Sequence, residues 1–151
     1  MIAIAATNTE HGLKKELRLQ GVTTIITNEV EKVSEHFAAK EFAEEWIAAW
    51  NSHDLGRILS HYAEGVVLTS PVAARLLGDP SGAVRGTAAL RDYFAKGLEF
   101  FPDLEFKLID VLQGLTSVVL YYENQRGTKT GEFMEFDADG KVSRVFANYS
   151  V

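Results

Sequence analysis

The periodicity of apolar residues changes once along this chain, near Pro102, and that change limits the folds open to it. Before Pro102 the longest patterned segment, Ser34 to Asn51, is helical. Ala39, Phe42, Ala43, Trp46, Ala49 and Trp50 fall on one arc, with Glu41, Glu44 and Glu45 opposite. Val33 and Phe37 lie off that arc. Asn51-Ser-His-Asp54 is a break rich in capping residues, after which Asp54 is placed to cap a short helix carrying Leu55, Ile58, Leu59 and Tyr62. Thr87 is placed to cap a third helix with a stripe of Leu90, Tyr93, Phe94 and Leu98, which Pro102 prevents from continuing.

Beyond Pro102 the pattern is strand-like. Leu104, Phe106 and Leu108 alternate with Glu105 and Lys107, and the apolar set then shifts parity to Ile109 and Val111, which predicts a bulge near Leu108. Ser117 to Tyr122 is apolar on both parities and reads as a central strand. Glu132 to Asp137 and Val142 to Tyr149 flank Asp137-Ala-Asp-Gly140, a hairpin turn. Earlier, Val66 to Ser70 is a β-branched run ended by Pro71, and the stretch from there to Arg85 reads as a long loop. The expected class is α+β: three N-terminal helices packed in the concave face of a curved, all-antiparallel sheet, with no glycine-rich phosphate loop.

Residues 1–33 differ from the remainder and are set apart as an N-terminal extension, leaving 34–151 as the domain. Within the extension, Leu13 to Leu19 has the pattern of a short charged helix and Val22 to Thr27 that of a strand. The opening Met1-Ile-Ala-Ile-Ala-Ala6 is apolar but lacks a basic leader and the length of a membrane span, so the expectation is a cytoplasmic protein without membrane association. A net charge of −6 without a basic cluster argues against nucleic acid as partner. The absence of cysteine excludes disulfides and thiolate metal sites.

Several of these pieces together resemble a known family. Trp46-Ile-Ala-Ala-Trp-Asn-Ser-His-Asp-Leu55, the segment ending Tyr62-Ala-Glu64, Val66-Val-Leu-Thr-Ser-Pro71, Arg85-Gly-Thr-Ala-Ala-Leu-Arg-Asp-Tyr-Phe94 and Glu132-Phe-Met-Glu-Phe-Asp-Ala-Asp-Gly-Lys-Val142 resemble, in this order, ketosteroid isomerase and the SnoaL-like polyketide cyclases, members of the nuclear transport factor two-like superfamily. The resemblance implies a cystatin-like fold: a cone-shaped half-barrel with an apolar pocket, the first helix as lid, and dimerisation through the sheet. It does not select a reaction, because isomerases, cyclases, dehydratases, epoxide hydrolases and pure binding domains share this scaffold. Ketosteroid isomerase uses an Asp base with a Tyr and a protonated Asp as oxyanion hole. By the resemblance these positions fall on Ser70, Trp46 and Glu132. An indole N–H is no acid and a lone serine hydroxyl cannot abstract a carbon-bound proton, so steroid isomerisation itself is not expected.

Glu132 is the candidate catalytic residue, since it shares a strand face with Met134 and Phe136 and a carboxyl in a dry pocket is pushed toward its neutral form. The plain alternative is a solvated strand residue. Trp46 and Trp50, one helical turn apart, form either an aromatic wall for a flat ligand or ordinary core. Ser70, Tyr122, Met134 and Asn148 complete the candidate ligand pocket. His36, His53 and His61 show no metal-ligand spacing, and no cofactor or metal is expected. No Gly-x-Ser-x-Gly turn surrounds Ser70. The expected ligand is a small, mostly apolar molecule, handled by acid–base chemistry or simply bound.

Overall fold

Helix and strand boundaries in this protein follow from a handful of caps and turns. The structure, a computed structural model, describes residues 16–19, 22–25 and 38–151, which belong to two units, Met1–Ala38 and Ala39–Val151. In the first unit β1 (Glu16–Leu19) pairs antiparallel with β2 (Val22–Ile25), Glu16 opposite Ile25 and Leu19 opposite Val22. The helix expected over Leu13 to Leu19 is therefore corrected to a strand over its second half. Leu17 and Leu19 alternate with Glu16 and Arg18 at period two, and β2 supplies the backbone partners that four residues cannot find in a helix. Leu13 to Lys15, Thr27, Val33, Ser34, His36 and Phe37 lie outside the described residues.

The second unit opens with α1 (Ala39–Asn51), which buries Ala39, Ala43, Trp46, Ala49 and Trp50 on the predicted arc. His53, in the left-handed conformation at φ 56°, turns the chain out of this helix. The Asn51 side chain then acts as a strand partner for Phe106: its Nδ2 donates to the Phe106 carbonyl at 2.9 Å and its Oδ1 accepts from the Phe106 N–H at 2.7 Å. A His53 Nε2 contact of 2.7 Å with the Leu104 carbonyl ties the same corner. These bonds pin the end of α1 to the start of β5 (Phe106–Gln113). Asp54 caps α2 (Leu55–Leu59) as expected, accepting from the Arg57 N–H at 3.0 Å. The helix stops before Tyr62, however, and Tyr62 opens β3 (Tyr62–Thr69) with its ring still buried.

The segment read as a loop from Pro71 to Arg85 contains a fourth helix, α3 (Pro71–Leu77), and a short strand, β4 (Ala83–Arg85). Ser70 caps α3, its Oγ accepting from the Val72 N–H at 3.1 Å, Pro71 occupies the first turn, and Gly78 ends the helix in the left-handed region. The proline that ends a strand here also begins a helix, for its missing N–H costs nothing at that position. Gly82 closes the loop against Ser70. The Ser70 N–H donates to its carbonyl at 3.0 Å, and at φ +60° a Cβ on Gly82 would sit 2.5 Å from the Ser70 oxygen. Next, α4 (Gly86–Phe100) starts after Arg85 without a side-chain cap, not at Thr87.

The remaining strands are β6 (Ser117–Asn124), β7 (Lys129–Phe136) and β8 (Val142–Tyr149). All six strands of this unit form one sheet in the order β4-β3-β8-β7-β6-β5. The pairing of β3 with β8 is parallel, which corrects the all-antiparallel expectation. The meander from β5 to β8 folds back until its last strand meets β3, a strand laid down before α3 and α4, and the two then run in the same direction. The bulge falls where the parity shift put it: the β5–β6 register slips between Leu108 and Asp110, leaving Ile109 as the extra residue. At the β7–β8 hairpin, Asp137 Oδ1 accepts from the Asp139 and Lys141 N–H groups, with Gly140 at φ 72°.

The class of the second unit is thus α+β, with four helices and a curved, open six-stranded sheet among the described residues. Its inner face presents Val118, Leu120 and Tyr122 from β6, Thr130, Glu132 and Met134 from β7, Val145 and Ala147 from β8, and Val66 and Leu68 from β3. Trp46, Ile58, Leu90 and Phe94 from the helices are buried with them. No described helix is long and apolar enough to cross a membrane.

Candidate functional site

The inner sheet face and the helices enclose a cavity of about 390 Å³. Its interior is built from Trp46 and Trp50 of α1, Phe94 of α4, Phe106 of β5, Tyr122 of β6 and Leu68 of β3. The aromatic rings support one another: Trp46 and Phe106 are stacked at 5.9 Å, Phe106 and Tyr122 lie 4.6 Å apart, and Trp50 meets Phe94 edge-on at 4.7 Å. Both tryptophan rings are core and both line the cavity.

Glu132 is 5% exposed and lines this cavity. Strand pairing explains its partner. Leu120 lies opposite Glu132 and Tyr122 opposite Thr130, so Tyr122 and Glu132 are diagonal neighbours on one face of the β6–β7 ladder. The Tyr122 hydroxyl donates to Glu132 Oε2 at 2.7 Å. It is the one hydrogen bond to this carboxyl among the described residues, and Oε1 accepts none. Burial pushes the Glu132 carboxyl up from 4.5 to about 7, against the opposing effect of the Tyr122 hydrogen bond. A group with this value is partly protonated and partly ionised at neutral pH.

Glu132 also sits within a ring of tyrosines that sequence reasoning did not assemble. Burial raises the Tyr62, Tyr93, Tyr122 and Tyr149 hydroxyls above the ordinary tyrosine range, and the Glu132 charge adds to the rise in each. All four are therefore neutral O–H groups. The sequence offered one part of this, since Tyr93 lies on the α4 stripe, whereas the inward parity that Tyr149 shares with Ala147 follows from the β7–β8 register.

The two indoles differ in role. Trp46 Nε1 donates to the Tyr62 hydroxyl at 2.9 Å, which commits its N–H within the core. Trp50 is close enough to oppose the rise at Tyr62, yet its N–H has no acceptor in hydrogen-bond geometry among the described residues. Ser70 is 2% exposed and lines the cavity, with its oxygen taken up in capping α3 and in a 3.3 Å contact with the Tyr149 hydroxyl. That oxygen is a structural hinge point between α3 and β8, not a base.

Two pocket candidates are placed elsewhere. Met134 shares the Glu132 face but is completely buried in the core, away from the cavity lining. Asn148 is exposed on the outer face, its Nδ2 donating to the Gly131 and Phe146 carbonyls, because Ala147 and Tyr149 hold the inward parity of β8. His53 and His61 bond to backbone carbonyls at the α1–β5 corner and the end of α2. Among the described residues no three His, Asp or Glu side chains come together in a way that could hold a metal ion.

An open, curved six-stranded sheet with helices packed on its inner face is the architecture of the cystatin-like fold. Residues 43–145 match the model of the SnoaL-like domain, and the chain belongs to that family. It is 40% identical to a SnoaL-like protein of unknown function from Burkholderia thailandensis E264, a likeness covering 75% of this chain and 94% of that one at a TM-score of 0.73. A protein of unknown function with cystatin-like fold from Methylobium petroleophilum PM1 is 18% identical over 76% of this chain and 77% of its own, at a TM-score of 0.61. The epoxide hydrolase/cyclase-like enzyme SalBIII, which acts in pyran ring formation in the polyether salinomycin, is 16% identical over 83% of this chain and 95% of its own, at 0.59. These last two likenesses are of fold. No curated protein matches the sequence significantly.

Proposed function

We propose that this chain is a cofactor-independent acid–base enzyme of the isomerase, cyclase or dehydratase type, acting on a small, predominantly apolar molecule held in the aromatic cavity. The observation that carries this reading is the Glu132 carboxyl, buried against the cavity with a value near 7 and one oxygen without a hydrogen-bond partner among the described residues. A group so poised can both take and return a proton at neutral pH. As a base it would remove a proton from carbon beside a carbonyl, the C–H electron pair passing to the carbonyl oxygen as an enolate. The same carboxyl would then return the proton to another position. Tyr122 orients Glu132, and Trp50 and Phe106 flank the bound molecule. Base and oxyanion-donor roles for Ser70 and Trp46 are not part of the proposal, since both are committed to structural bonds.

The test begins with a thermal-shift screen of wild type and Glu132→Gln against steroids, polyketides and small aromatic acids, because a ligand that binds the native state raises its midpoint. Each ligand found is then incubated with protein in D2O and followed by NMR. Wild type is expected to exchange deuterium into the ligand, with a loss of roughly 100-fold or more in Glu132→Gln. Bound ligand without exchange would leave a non-catalytic binding domain as the function, and exchange that survives the substitution would remove Glu132 as the acid–base group.

The same proposal takes the protein to be a homodimer formed through the outer sheet face. There Phe133 and Phe146 meet across β7 and β8 at 6.3 Å, Tyr121 is exposed, and the adjacent Glu135–Arg144 ion pair offers both charges to a two-fold copy. Phe146→Asp should halve the mass measured by light scattering at unchanged helix and strand content. A wild-type monomer at tens of micromolar removes this part of the proposal.

A further inference from the structure

Formal charge is distributed unevenly around the cavity. Of the residues that line it, three carry formal charge: Glu132, which is buried, and Arg75 and Arg126, which are exposed. The carboxyl thus marks the closed end and the two guanidinium groups the open one. In a chain with net charge −6 and 21 acidic residues, a cavity mouth with two arginines and no carboxylate is a local reversal of sign.

Among the described residues neither arginine takes part in an ion pair. The ion pairs among the described residues are Lys40–Glu44, Arg57–Glu45, Lys107–Glu123 and Arg144–Glu135. Arg126 is nonetheless held in place. Its guanidinium carbon lies 4.9 Å from the centre of the Phe101 ring, itself a cavity residue. Its turn is fixed by Asn124 Oδ1, which accepts from the Arg126 and Thr128 N–H groups at 2.9 and 3.0 Å, and by Gly127 at φ 78°. Arg75 stands on α3, the helix capped by Ser70, and its charge opposes the rise at the Tyr149 hydroxyl, so it acts across the cavity wall. A stacked guanidinium keeps its N–H fork free, and that fork matches a carboxylate.

We infer that the ligand of this cavity is an amphiphilic anion: an apolar, aromatic-sized body seated among Trp50, Phe94 and Phe106, with a carboxylate held at the mouth by Arg75 and Arg126. The inference deepens the reading of the cavity as a substrate site. It also orients the substrate, because the end remote from the carboxylate is the one that reaches Glu132.

The two tryptophans of the chain both line the cavity, so their fluorescence reports occupancy directly. The probes are matched acid and primary-amide pairs: naphthalene-2-acetate with naphthalene-2-acetamide, biphenyl-4-acetate with its amide, and a steroid carboxylic acid with its amide. Titrated into the full chain at low salt, the acid of at least one pair should bind roughly tenfold or more tighter than its amide. Arg126→Gln and Arg75→Gln should each reduce that preference, and together abolish it. Glu132→Gln should preserve the preference. Equal binding of acid and amide in every pair, a preference that survives the double arginine substitution, or no binding of any acid would overturn the inference. An acid preference with no deuterium exchange into any ligand found by the thermal-shift screen would instead defeat the catalytic reading and leave this one standing, so the two failures are distinguishable.

Discussion

Glu132→Gln is expected to raise the thermal midpoint of this protein by roughly 10 °C at pH 8 and to leave it nearly unchanged at pH 4. The direction follows from proton linkage. The folded-state carboxyl titrates at about 7 and its unfolded counterpart at 4.5. Between these values the unfolded chain has released its proton while the native protein retains it, so stability falls as pH rises. Below 4.5 both states are protonated and the stabilisation is fully present. Above 7 both are ionised and the loss is complete, on the order of 3 kcal/mol at about 1.4 kcal/mol per pH unit. Gln carries no proton to exchange in this range, and its side-chain oxygen can still accept from Tyr122. The difference between the two midpoint–pH curves isolates Glu132 from every other titrating group. Parallel curves would show that the carboxyl is not held neutral by burial, and the acid–base reading of the cavity would lose its support.

Trp46→Ala is expected to cost about 4 kcal/mol in urea unfolding, read as a lower midpoint at unchanged slope. Trp46 is 1% exposed and touches the rings of Trp50, Phe106 and Tyr122. Its loss leaves a void under α1 and removes the hydrogen bond to a Tyr62 hydroxyl that is itself buried. A 13-residue helix has little stability of its own, so α1 depends on this anchor to stay on the sheet. Since 4 kcal/mol is a large share of the stability of a small domain, Trp46→Phe provides a milder comparison, with an expected loss of about 2 kcal/mol from the missing hydrogen bond and the smaller ring. A loss below about 1 kcal/mol in Trp46→Ala would mean that the α1 contact is not structural.

Elements whose cause is local were legible in advance. The arc of α1, the Asp54 cap, the bulge at Ile109 and the Asp137–Gly140 turn each arise from residues within a few positions of one another. The same local signals were present for α3, in Ser70-Pro71 and Gly78, but a proline after a β-branched run has two meanings and only the surrounding packing selects one. Parity on β7 grouped Glu132 with Met134, and packing made that face the inner one. Parity could not place Asn148, because the register of β8 against β7 has a shift near Phe136 that moves Ala147 and Tyr149 to the inner face.

By itself, then, the sequence determined the α+β class, most helix and strand positions, and the shared strand face of Glu132 and Met134, for these depend on periodicity and capping along one segment. Only the tertiary structure decided the parallel union of β3 with β8, the neutral tyrosines around Glu132, the separate duties of Trp46 and Trp50, and the two arginines at the mouth. Those features join residues as far apart as Ser70 and Tyr149. Burial, and with it the shifted proton affinity of Glu132, is a property of what packs around a residue, and no neighbouring stretch of chain encodes it.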